Sequence, residues 1–279
     1  CSFSYYFNKW IGYLLLRPSN IMKILKLGQM LGGSNAPSES SSFENLYSLA
    51  FDGVDDYLDL GDADALTPNS SGANRGFSVS FWIKTSSKTN QIFSKNISGD
   101  AEYEVIIRFN GYPRIIFYSS DNTSIYQYID INTDITDGNW HNIVLTFDLG
   151  STSSSLVCYL DGVQKTDGSG ATYNSSGTWV SVSNTAADLR IAYQGGGYGD
   201  ISLDELAFFD DTLTSTQATS IYNSGEPNDL SSISNLIGWW RNGDTAGPSV
   251  YPTITDDSSN SNNGTMTNMD SGDIVTDVP

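Results

Sequence analysis

Between Tyr47 and Phe209 the chain is a succession of short runs in which apolar residues take every second position. In FSVSFWIK, Phe77, Val79, Phe81 and Ile83 alternate with Ser78, Ser80, Trp82 and Lys84, the period of a strand with one face in a core. EVIIRF and RIIFY follow, separated by the turn residues of NGYP. WHNIVLTFD places Ile143, Leu145 and Phe147 on one face and Asn142, Val144 and Thr146 on the other. LVCYLDGVQK predicts a hairpin, because Asp161-Gly162 suits the positive φ angles of a type I′ turn. LRIAY and DISLDELAFF are further strands flanking the glycine run 195–197. Only DTLTSTQATSIYNSG reads as a helix: Thr214 stands three residues before Gln217, a capping-box spacing, and Gly225 ends it. One short helix near the C-terminal end, among many strands, predicts an all-β sandwich of two antiparallel sheets.

Outside these runs the chain changes character. Residues 32–44 and 228–235 are small and polar and read as linkers. LIGWWR then predicts one more strand, followed by the polar DDSSNSNNGTMTN and a tail. The expected organisation is a leader and flexible linker over 1–45, a sandwich over 46–226, and a strand and polar tail over 227–279 packed on the sandwich. Met22 opens a plausible start, MKILKLGQMLGG, so residues 1–21 are expected to be translated upstream sequence and not native protein. WIGYLLL at 10–16 is the longest apolar stretch, far short of the ~20 residues of a membrane-spanning helix.

Charge narrows the partners. The 279 residues carry 13 basic and 32 acidic groups, net −19. Residues 1–38 hold Lys9, Arg17, Lys23 and Lys26 and no acid, leaving 9 of the 13 basic residues against all 32 acids, −23, on the remainder. A surface so negative repels phosphate backbones and anionic lipid, which argues against nucleic-acid binding and membrane insertion. It attracts cations, calcium above all, for which carboxylates are hard ligands. Cys1 and Cys158 are the two cysteines; one pair is no disulfide framework, and Cys158, within LVCYL, reads as a buried small hydrophobe.

Six landmarks now fall in order: FDGVDDYLDLG at 51–61, FSVSFWIKT at 77–85, DGNWHNIVLTFD at 137–148, VCYLDGV at 157–163, ISLDELAFFDDTLT at 201–214 and IYNSG at 221–225. With them the chain resembles the laminin-G/pentraxin-like branch of the concanavalin A-like lectin/glucanase sandwiches. The resemblance implies a jelly roll, often with a structural calcium, used mainly to bind glycans or proteins. A segment like LIGWW…DDSSNSNNGTM usually precedes the FDG motif in that family; here it follows the sandwich, as a permuted edge strand or as the stub of a further module. The MKILKLGQMLGG start, the DIVTDVP end and the single module are similar to lamin-G-like structural proteins of marine bacteriophages.

Several residues are candidates for chemistry. Asp204 and Glu205 are consecutive within an apolar strand, where successive side chains point to opposite faces, so one carboxylate must point into the core unless a bulge intervenes. Such a carboxylate needs a partner, either calcium or backbone N–H groups. In the resembling family the FDG and DE strands lie near one another, which implies Asp52 with Asp204 as calcium ligands; the competing reading is that the acids cap turns. His141, the single histidine, reads as a hydrogen-bonded residue at the mouth of its strand. Glu102 and Glu104 stand at i and i+2, on one face of a strand; they read as a solvated face or, alternatively, as the carboxylate pair of a glycan-acting hydrolase. Sugars stack their C–H faces on aromatic rings, so Trp179, Tyr193 and Tyr198, near the glycine run, are the glycan-binding candidates. The expected function is a non-catalytic recognition or structural module, on a virion or otherwise extracellular, contacting glycans or neighbouring virion or cell-surface proteins. A capsid or tail component without a ligand is the further alternative.

Overall fold

The computed structural model describes residues 43–279, apart from 69–71, 73–75, 98–99, 120–121 and 245–246; the expected leader and nearly all of its linker lie outside the described residues. The strands in chain order are β1 (Ser48–Asp52), β2 (Tyr57–Asp59), β3 (Phe77–Lys84), β4 (Gln91–Ile97), β5 (Asp100–Ile107), β6 (Pro113–Ser119) and β7 (Asn122–Ile131). They continue with β8 (Trp140–Phe147), β9 (Leu156–Leu160), β10 (Val163–Asp167), β11 (Gly170–Ser176), β12 (Leu189–Ile191), β13 (Tyr193–Gln194), β14 (Gly197–Tyr198) and β15 (Asp200–Phe209). After the helix α1 (Ser215–Tyr222) come β16 (Leu236–Trp240), β17 (Thr253–Ile254), β18 (Gly264–Thr267) and β19 (Ile274–Val275).

Two antiparallel sheets result. The first runs β10–β9–β8–β3–β15, and the far edge of β15 is shared by β1 along its first half and β16 along its second. The second runs β17–β18–β2–β12–β4–β5–β6–β7–β11. A two-residue parallel pairing of β10 with β11 joins them at one corner. The inward rows interlock between the sheets: Phe77, Phe81, Phe93, Tyr103, Phe117 and Phe208 are all buried, with ring pairs such as Phe77–Phe208 and Phe81–Phe93 at 5.8 and 5.4 Å.

Local chemistry matches these elements. Asp161 and Gly162 take φ of 52° and 71°, the left-handed pair that a type I′ hairpin demands. Thr214 caps α1, with Gln217 completing the capping box. The buried Ala218 and Ile221 of α1 join Val144, Ala207, Phe209 and Trp239 in a second apolar cluster. Val144 and Ala207 have the opposite strand parity to the core residues Ile143 and Phe208, so α1 covers the outside of the first sheet. The LIGWW segment is β16, paired to β15, while β18 extends the second sheet beside β2 and β19 pairs with β1. No helix among the described residues is long and apolar enough to cross a membrane.

Candidate functional site

In β2, Leu58 is buried, whereas Tyr57 and Asp59 face outward; in β12, Leu189 and Ile191 are buried and Arg190 faces outward. Because β2 and β12 are neighbours, these outward groups share one surface. Tyr193 stands 5.4 Å from Tyr57 and 5.1 Å from Tyr198 across the small β13–β14 hairpin. The Arg190 guanidinium lies 5.8 Å from the Tyr57 ring and 5.5 Å from the Tyr193 ring, within cation–π range. It is oriented by Asp59 (3.2 Å) and Asp188 (2.8 Å). Gly195 and Gly196 turn the hairpin at φ of 59° and 90° with open space where side chains would stand. Gly199 presses it onto β4: a Cβ there would lie 2.2 Å from the Gln91 carbonyl oxygen. The side-chain oxygen of Gln91 is buried without a hydrogen-bond partner among the described residues.

The structure therefore brings Tyr193 and Tyr198 together and separates them from Trp179. Val180 bonds the Ser119 hydroxyl (3.3 Å) and Val182 bridges Ser119, so Trp179 belongs to the Ser119 end of the second sheet, its ring 6.0 Å from Phe147. Tyr193 follows β12 at the other end, beside the start of β4. Tyr57 and Arg190 are the partners that sequence reasoning missed. The alternation of Tyr57 with Leu58, and of Arg190 with Leu189 and Ile191, was the available signal for their exposure.

The metal candidates also part company. Asp52 pairs in register with Asp200, so Asp204 lies four residues further along β15, about 13 Å of strand. The two share no site, because the antiparallel register of β1 sets Asp52 against the wrong end of β15. Asp52 instead meets Asp55 and Asp56, one carboxylate oxygen of each lying within 4.8 Å of the others. Asp52 Oδ1 accepts the N–H groups of Val54 (2.8 Å) and Asp55 (3.4 Å), and Asp56 Oδ2 that of Asp52 (3.2 Å). Burial and the neighbouring acids Asp52, Asp273 and Asp55 push Asp56 up to about 6. Three hard oxygen donors with excess negative charge are a set that fits calcium, one residue before Tyr57.

Asp204 and Glu205 are both buried, and a bulge makes that possible. Asp204 pairs with Trp82 but Ala207 with Ser80, so β15 advances three residues against two, and Glu205 takes a φ of 50°. Asp204 accepts from Asn45 (2.9 Å), Asn242 (3.0 Å) and the Glu205 N–H (2.8 Å). Glu205 accepts from the Trp239 indole and from Arg241 Nε (3.3 Å). Arg241 also pairs with Asp244 (2.8 Å), which accepts the N–H groups of Leu46 and Tyr47. The cluster thus clasps residues 43–47, the chain entering β1, with Phe43 stacked 4.4 Å from the guanidinium. Burial first, and the neighbouring Asp244, raise Asp204 to about 8; burial and Asp204 raise Glu205 as well.

Glu102 and Glu104 do not form a solvated face, and they do not form a dyad. Glu102 is wholly buried, bonded to Lys95 and Thr67 (both 2.6 Å), because the β4–β5 pairing slips at Lys95/Asn96 and turns it inward. Glu104 is covered by the Tyr118 hydroxyl (2.5 Å) and Asn96 (3.3 Å). His141 bridges Asp161 (2.9 Å) and Asp137 (3.2 Å). Cys158 is buried and free.

None of the curated proteins matches this chain. Among solved structures, a candidate carbohydrate binding protein from Bacteroides ovatus is similar at TM-score 0.50 and 12% identity, over 85% of this chain and 65% of that one. The heptameric SAP-like pentraxin of Limulus polyphemus matches at TM-score 0.45 and 18% identity, over 65% and 84% of the two chains. The binding domain of Botulinum Neurotoxin DC, in complex with SialylT, matches at 0.40 and 15%, over 55% of this chain and 36% of that one. At these identities the likeness is one of fold. The family model for the Concanavalin A-like lectin/glucanases superfamily matches residues 52–219, more than half of the sequence, and the chain belongs to that family.

Proposed function

We propose that this domain is a non-catalytic glycan-recognition module whose contact surface is the Tyr57–Tyr193–Tyr198 cluster with Arg190. The observation that carries the reading is the gathering of three part-exposed tyrosines and an oriented guanidinium beside an open glycine hairpin. Rings offer faces to sugar C–H groups, while Arg190, Asp59 and Asp188 offer donors and acceptors to hydroxyls. The family's lectin members and the described function of the Bacteroides neighbour support the same reading. A structural calcium, as the resemblance implies, would be held by Asp52, Asp55 and Asp56, where it would stiffen the loop leading into Tyr57. The setting is a virion or another extracellular assembly, with surface glycans or sibling subunits as partners.

Glycan-array screening followed by calorimetry tests the proposal. Wild-type protein binds a defined glycan class without turnover, and Tyr198→Ala, at a part-exposed ring paired with Tyr193, abolishes binding while leaving the melting temperature near its wild-type value. Binding unaffected by Tyr193→Ala and Tyr198→Ala refutes the site. Hydrolysis of the bound glycan refutes the non-catalytic reading, and blank arrays with co-purification on particles favour the ligand-free structural component.

A further inference from the structure

The second sheet holds a buried amine that glycan recognition does not use. Lys95 on β4 is wholly buried, its Nζ 2.6 Å from Glu102 Oε1 and 2.9 Å from Asp62 Oδ1. Glu102 is fixed by further donors: the Thr67 hydroxyl on Oε2 (2.6 Å), and the Thr185 N–H (2.8 Å) and hydroxyl (3.1 Å) on Oε1. Asp62 reaches in from the loop after β2, with 34% of its side chain exposed. One ammonium therefore faces two carboxylates of different standing, one locked in the interior and one at its edge.

Both chemistry and geometry favour a covalent outcome. The wholly buried Lys95 ammonium carries a desolvation cost, and an amide made from Lys95 and Asp62 removes that charge. The fold holds amine and carboxyl in contact, which turns a rare bimolecular encounter into an intramolecular one. Water released on the Asp62 side has a route to solvent, and Glu102 touches the same nitrogen and can carry its protons.

We propose that Lys95 and Asp62 condense into an intramolecular isopeptide bond, with Glu102 as the proton carrier. Nζ passes a proton to Glu102, and the freed lone pair attacks Cγ of Asp62, forming the C–N bond. The tetrahedral centre collapses by breaking one C–O bond. That oxygen leaves as water, with the two protons shed by Nζ, one of them relayed through Glu102. Ammonium plus carboxylate gives amide plus water, so charge and atoms balance and no oxidant, reductant or cofactor takes part. The bond closes the chain from Asp62 to Lys95 around β3, a staple in a domain whose buried cysteine is free.

Denaturing intact-mass measurement of the purified full chain, with peptide mapping, tests this directly. The expected result is a mass lower than the sequence mass by one water, and a branched peptide joining Lys95 to Asp62. Lys95→Arg and Asp62→Ala restore the full mass, and Glu102→Gln leaves most of the chain unlinked. A wild-type chain at its full sequence mass overturns the proposal. So does a water loss that maps elsewhere, such as a succinimide at Asp161-Gly162. The wild-type reading is decisive even where a variant fails to fold, and it is independent of whether any glycan binds.

Discussion

Asp204→Asn tests the energetics of the bulge. Three carboxylates with buried side chains, Asp204, Glu205 and Asp244, gather here, and one guanidinium, Arg241, pairs with Glu205 and Asp244. Burial first, and the neighbouring Asp244, push Asp204 up to about 8 in the folded protein, against about 3.9 in an unfolded chain. Between these values the folded state holds a proton that the unfolded state has lost, so stability is full at and below pH 4 and falls as pH rises toward 8. One such proton gives a slope of about 1.4 kcal/mol per pH unit, hence a loss of up to about 4 kcal/mol between pH 5 and pH 8. Burial first, and then Asp204, raise Glu205 in the same direction, so the titration belongs to the pair. Asparagine removes the charge and keeps the geometry: its oxygen accepts from Glu205 N–H and Asn242. Its amide nitrogen faces Asn45, whose own side-chain oxygen is buried and unpaired among the described residues. In urea unfolding of both proteins, the variant matches wild type within about 1 kcal/mol at pH 5 and exceeds it by about 2–4 kcal/mol at pH 8. A variant destabilised equally at both values would refute the reasoning, since the carboxylate would then be a charged and satisfied part of the fold.

Three further outcomes follow from the same structure. His141, held between Asp161 and Asp137, titrates above its ordinary value, chiefly through the Asp161 hydrogen bond; its contribution is present below pH 6.5 and lost as pH rises through the folded value. His141→Gln therefore costs about 0.5–1 kcal/mol at pH 5.5 and little at pH 9, and an NMR titration of the ring midpoint at or below 6.5 would contradict it. Millimolar calcium raises the melting temperature of wild type and of Asp204→Asn but not of Asp56→Asn; equal melting curves in calcium and chelator exclude the site. Gly199→Ala drives a methyl group into the Gln91 carbonyl and costs about 1–3 kcal/mol, with loss of glycan affinity in calorimetry; an unchanged variant would show that the hairpin is not pinned there.

Strand alternation made the sandwich legible, because Phe77, Val79, Phe81 and Ile83 had to share a face wherever they lay. The type I′ turn at Asp161-Gly162 and the Thr214 capping box were equally visible, being determined by neighbours in sequence. Registers were not. Asp52 and Asp204 sit on paired strands, but only the alignment of β1 against β15 decides that Asp52 meets Asp200. Glu102 and Glu104 show the same limit: a slip in the β4–β5 ladder turns a face that alternation reads as solvated into a buried ion pair. Tyr57 lies within FDGVDDYLDLG, yet its pairing with Tyr193 depends on β2 and β12 being neighbours, a contact across more than 130 residues of chain.

The pairing of Ser48 with Val275, and the bond from the Ser48 hydroxyl to the Asp277 carbonyl (2.7 Å), place the way into the sandwich beside the way out. A domain threaded like this is a cassette: a host loop need open only by the width of one strand pair to accept it. The same closeness makes the domain a natural ring. A short linker from the β19 side to β1 would let the chain be cut open elsewhere, for instance at the solvent-facing turn of the tyrosine hairpin, without changing which strands are neighbours.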